Sequence, residues 1–94
     1  MSGFNTRSVP RLAARTRLRH DDARDADVLL YPEGVLVLNP SAAAILKHCD
    51  GIRNVEEIGA LLAAQFGGAD VTPDVLMLLD RLAARGLVEG YAED

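Results

Sequence analysis

The sequence predicts an α+β fold, winged-helix-like, with an N-terminal three-stranded antiparallel sheet followed by a three-helix bundle. Three observations predict it. Short apolar runs separated by a Pro-Glu-Gly turn fill the first part of the chain. Three segments of helical period, each with start and stop signals, fill the rest. Strands grouped ahead of helices argue for a sheet packed on a helical layer rather than for alternating βαβ units. At 94 residues the chain is the size of one domain.

Residues 1–15 show no period and contain Pro10, and are read as a flexible N-terminal arm. The single domain is expected over residues 16–90. Residues 16–21 alternate weakly and are read as a first strand. Val28-Leu29-Leu30-Tyr31 is a second strand. Pro32-Glu33-Gly34 is a turn, because Pro presets φ and Gly accepts φ > 0. Val35 to Leu38 is a third strand, which closes a hairpin.

Asn39-Pro40 opens the first helix with an N-cap and a proline where no hydrogen bond is lost. Ala42, Ile45, Leu46 and Cys49 form its apolar stripe, and Asp50-Gly51 stops it. Asn54 with Glu57 reads as a capping box for the second helix, whose stripe is drawn through Ile58, Leu61, Leu62, Gln65 and Phe66. Gly67-Gly68 ends that helix. Thr72 is the expected N-cap of the third, which runs through Pro73 and Asp74 to about Arg85, with Gly86 as the stop. Its core stripe is Val75, Leu78, Leu79 and Leu82. Leu87-Val88-Glu89 is a candidate tail strand.

Charge is unevenly spread. Residues 1–24 carry six arginines against two aspartates, a net +4, whereas residues 25–94 carry four basic and twelve acidic residues, a net −8. An acidic body argues against a phosphate footprint. The third helix sets Arg81 and Arg85 against Asp74 and Asp80, which does not suit a groove reader. A winged-helix DNA-binding regulator therefore stays only as an alternative, and no nucleic-acid partner is expected. One cysteine rules out an internal disulfide. No apolar run approaches the ~20 residues that span a bilayer. A cytoplasmic chain without a membrane partner is the expectation.

Catalytic constellations are lacking. His48, Cys49 and Asp50 are consecutive at a helix end, so their side chains diverge by about 100° per residue. Glu56-Glu57 are first-turn charges. No catalytic residue, metal site or cofactor is expected, and the chain is not read as an enzyme.

Apolar surface is in excess at two places. Val35 to Leu38 does not alternate, so it is either covered on both faces or lies at an edge awaiting a partner. An edge with neither Lys nor internal Pro suits another extended chain. On the third helix, Leu76 and Ala83 lie beside the core stripe next to Asp80, with Met77 on the far side. A groove between this helix and the third strand would use Leu76 and Ala83 as its floor. The same strand can also pair with its own copy, and the short Asn39-Pro40 joint would let N-terminal strands exchange between chains, so a homodimer is among the expectations.

The run Val28-Leu29-Leu30-Tyr31-Pro32-Glu33-Gly34, then Leu38-Asn39, Ala43, Ile45-Leu46, Cys49-Asp50-Gly51, Arg53, Val55 and Glu57-Ile58, resembles the PqqD family. Asp70-Val71, Asp74-Val75, Leu78-Leu79, Leu82 and Gly86 continue the likeness. It covers residues 16 to 90, and Pro32 to Ile58 is its specific part. The resemblance implies a non-catalytic peptide chaperone in the synthesis of pyrroloquinoline quinone. It would bind the ribosomal precursor peptide PqqA and present it to PqqE, a radical S-adenosylmethionine enzyme that joins a Glu and a Tyr side chain. The same peptide recognition element serves other peptide-modifying pathways, which is a further alternative. In such domains the peptide lies as an added strand beside the third strand and against the third helix. Carried onto this chain, the peptide-binding residues would be Gly34, Val35, Leu36, Val37 and Leu38 with Leu76, Leu79, Asp80 and Ala83.

Overall fold

A computed structural model describes residues 3–92. It contains five strands and three helices in the order β1 (Ser8–Leu12), β2 (Arg17–Asp21), β3 (Ala26–Tyr31), β4 (Gly34–Val37), α1 (Pro40–Leu46), α2 (Val55–Gln65), α3 (Thr72–Ala84) and β5 (Val88–Ala92). The fold is α+β, with two antiparallel sheets and three helices.

The strand count and order differ from the expectation of one sheet. β2-β3-β4 form the predicted three-stranded antiparallel sheet, and β1 pairs with β5 in a second, two-stranded one. Ser8–Leu12, read from sequence as part of a flexible arm, is a paired strand whose Val9 and Pro10 are buried. Arg11 lies opposite Glu89 across this ladder, and the two side chains form an ion pair at 2.6 Å. A close approach fixes the pairing: a Cβ on Gly90 would stand 2.6 Å from the carbonyl oxygen of Val9. The N-terminal segment is held further by Glu56 N–H donating to Thr6 O at 3.0 Å and Phe4 N–H donating to Asp80 Oδ1 at 2.8 Å.

In the three-stranded sheet, Leu18, Leu29 and Leu36 stand opposite one another and so share a face. Leu29 is fully buried, with Leu18 and Leu36 packed against the same core, so this face meets the helices.

The helix signals operate largely as read. The Asn39 side chain accepts from Ala42 N–H, with Pro40 in the first turn. Asn54 and Glu57 form the reciprocal capping box. Three details differ. α1 stops at Leu46, after which His48 and Cys49 donate to carbonyls three residues back, a tightening common at helix ends. α2 buries Val55, Ile58, Gly59 and Leu62, leaving Leu61 and Phe66 exposed. Its face is turned because Gly59 lets α3 approach: a Cβ there would lie 2.5 Å from Thr72 Oγ1. Thr72 is itself the first residue of α3, following Val71, and Asp70 Oδ1 accepts its N–H at 3.1 Å. α3 buries Val75, Leu79 and Leu82, while Leu78 is only half-buried.

Candidate functional site

β4 is the edge of its sheet. Its ladder to β3 runs Gly34↔Tyr31, Val35↔Leu30, Leu36↔Leu29 and Val37↔Val28. The next residue, Leu38, donates its N–H to Asp27 O at 2.9 Å. In an antiparallel pair, opposed residues alternate between those that exchange hydrogen bonds and those that do not. Counting back from Leu38, Leu36 and Gly34 face their partners, whereas the N–H and C=O groups of Val35 and Val37 point away from β3. They form a row of unsatisfied main-chain groups along the open edge. The side chains of Val35 and Val37 are 47% and 52% exposed.

Parts of α3 lie near both ends of this strand. Arg85, just past α3, donates from Nη2 to Tyr31 Oη at 3.1 Å and lies 5.8 Å from that ring's centroid. This ties the end of α3 to the turn that begins β4. At the other end of β4 a cavity of about 430 Å³ opens between the start of α1, the end of α2 and α3. Asn39, Ser41 and Ala42 form one wall and Asp74, Met77, Leu78 and Arg81 another, with Phe66 at its margin. Met77 is 60% exposed. The α3 residues recur at i, i+3, i+4 and i+7, which places them on one helix face.

Of the residues singled out from sequence, Gly34 to Val37 form the edge strand, and Leu38 is buried and anchors its end. The helix set does not line that cavity. Leu79 is fully buried in the core. Asp80 holds the Phe4 amide. Leu76 and Ala83 are half-buried at helical spacing from Asp80, which places them on the opposite flank of the buried stripe from Met77 and Arg81. The sequence set Met77 apart from the core stripe, but it did not join Asp74, Leu78 and Arg81 to it as one wall, because the four make a mixed stripe that apolar periodicity does not mark.

Charges brace the far end of β4. His20 Nδ1 lies 3.0 Å from Asp27 Oδ1, and Lys47 Nζ lies 3.4 Å from Asp27 Oδ2. The hydrogen bond to Asp27 raises the His20 imidazole above its usual value, with Asp22 and Asp25 adding to the effect. The same bond, with help from Lys47, holds the Asp27 carboxyl below its usual value. Cys49 is buried, which pushes its thiol up to about 12. Among the described residues, no group of three His, Cys, Asp or Glu side chains is placed to hold a metal ion. No helix among them is long and apolar enough to cross a membrane.

Comparison with known proteins gives a consistent result. Residues 28–88 match the family model of coenzyme PQQ synthesis protein D (PqqD). The chain is 41% identical over 90 residues to the PqqA binding protein of Xanthomonas euvesicatoria pv. vesicatoria, covering 94% of this chain and 98% of that one. It is 39% identical over 90 residues to the PqqA binding protein of Azotobacter vinelandii, covering 95% and 98%. The fold superposes with a TM-score of 0.82 on the PqqD truncation of Methylobacterium extorquens PqqCD, solved by solution NMR, at 35% identity over 93% of this chain and 95% of that one. That truncation represents a functional and stand-alone recognition element for ribosomally synthesized and post-translationally modified peptides. The chain belongs to the PqqD family.

Proposed function

We propose that this chain is a peptide chaperone, without catalytic activity of its own, that binds the precursor peptide PqqA and presents it to the radical S-adenosylmethionine enzyme PqqE in the cytoplasm. One observation carries the reading: the main-chain groups of Val35 and Val37 face outward on an open sheet edge, and past the end of that strand, at Asn39, a cavity walled by α3 opens. Backbone pairing would supply register, and the cavity would take side chains of the added strand. Relatives about two-fifths identical along nearly the whole chain are PqqA binding proteins, which supports the choice of peptide.

Gly34, Val35, Leu36 and Val37 form the pairing edge in this reading, with Leu38 as its anchor. On α3 the direct contacts pass to Met77, Leu78 and Arg81, with adaptable Met77 at the exposed margin. Leu76, Leu79, Asp80 and Ala83 then act by holding α3 in place. Burying about 200–300 Å² of apolar surface contributes roughly 5–7 kcal/mol before association costs, which suits micromolar or tighter binding with the added backbone bonds. The same edge can also pair with its copy, so a homodimer would compete with the peptide.

The test is reconstitution. PqqA, PqqE, S-adenosylmethionine and a reductant are incubated with and without this chain, and crosslinked PqqA is measured by mass spectrometry. Crosslinking that rises with the chain up to stoichiometry supports the proposal. Equal crosslinking without it would overturn the presenting role.

A further inference from the structure

We propose that the outer face of the β2-β3-β4 sheet is a second docking surface, built for a folded protein that presents an apolar patch edged by carboxylates, and completed only when a peptide strand lies on β4. The inference rests on the strand-addition reading above and deepens it.

Register defines the face. Arg17, Leu30 and Val35 stand opposite one another, as do Arg19, Val28 and Val37, so these six side chains share the face turned away from the helices. Val28 at its centre is buried, so the accessible part of the face is Arg17 and Arg19 on β2, half-buried Leu30 on β3 and the half-exposed Val35 and Val37 at the open edge. Among the described residues neither Arg17 nor Arg19 is in an ion pair. Their planar guanidiniums suit carboxylates presented from outside. Two copies meeting face to face on this surface would oppose like charges, so a second copy is the poorer occupant.

Strand addition changes this face. A peptide residue opposite Val35 or Val37 would put its side chain on the same side of the sheet, because cross-strand neighbours share a face. Alternate peptide residues would therefore point to the helix side and the outer face of the sheet in turn. The outer set would extend the valine stripe by one strand, about 4.8 Å further. A protein docking there would touch chain and peptide together and so distinguish the loaded form from the empty one. In the proposed function that protein is the modifying enzyme.

The test uses the full chain with Arg17→Glu and Arg19→Glu combined, checked for wild-type circular dichroism and melting. Calorimetry with PqqA and surface binding to PqqE are measured separately, the latter with and without PqqA. The expected result is unchanged PqqA affinity in the variant, wild-type affinity for PqqE that rises when PqqA is added, and a loss of about tenfold or more in the loaded variant. Undiminished PqqE binding by the loaded variant overturns the proposal. Sedimentation showing a dimer that the double variant abolishes would assign the face to a second copy and overturn it too. Failure of the wild type to bind PqqA at all would overturn the strand-addition reading first, and this inference with it.

Discussion

Replacing Val37 with proline separates binding from folding. The Val37 N–H points away from β3, so the substitution removes no bond of the existing ladder. Proline is tolerated on edge strands for this reason, and Leu36 before it is already extended. Folding stability should change by less than about 1 kcal/mol. An added strand, however, loses one donor, worth about 1 kcal/mol net. It also leaves a carbonyl unpaired, which raises the cost to as much as about 3 kcal/mol if water is excluded. That corresponds to weakening of roughly 5- to 150-fold. Leu36→Pro is the contrasting variant: its N–H belongs to the ladder and its side chain packs on the core, so it should lose about 2–3 kcal/mol of stability. Calorimetric titration with PqqA and thermal melts read the two effects separately. Full PqqA affinity in a folded Val37→Pro chain would refute the argument from backbone direction.

Other expectations follow from the same geometry. Leu79→Ala should cost about 2–5 kcal/mol in urea denaturation because Leu79 is fully buried, while exposed Met77→Ala should stay within about 0.5 kcal/mol in stability yet weaken PqqA binding. Cys49, its thiol pushed up to about 12, should resist iodoacetamide at neutral pH in the native chain and react once urea unfolds it. The His20 imidazole is raised by its bond to Asp27, so its stabilising effect is complete below the unfolded value near ~6.5 and is lost as pH rises through the higher folded value. His20→Gln should therefore lower Tm relative to wild type at about pH 5, with the gap closing by about pH 8.5. Asp27, held below its usual value, stays ionised across that range.

Much of this fold is written in local signals. Asn39-Pro40 and the Asn54–Glu57 box fix two helix starts through contacts three residues apart, which a sequence displays directly. The β3–β4 hairpin is equally local. The β1–β5 sheet is not, since its partners sit some eighty positions apart and Pro10 argues against a strand. The turned face of α2 depends on Gly59 meeting Thr72, a tertiary contact with no periodic trace. The candidate site divides in the same way. An unguarded apolar strand was legible, because Val35 to Leu38 lacks both alternation and charge. The cavity face of α3 was not, because Asp74 and Arg81 interrupt it and Leu78 reads as core until α2 and α1 are placed.

β4 offers an open edge to another main chain, and amide hydrogen exchange resolved by residue reads the state of that edge. In the free chain, Val35 and Val37 should exchange fast while Leu36 and Leu38 are protected, an alternation set by the ladder to β3. Adding PqqA should slow Val35 and Val37 and leave the other two unchanged. Protection of Val35 and Val37 in the free monomer, or rates that PqqA does not alter, would mean that β4 does not take up the peptide as an added strand.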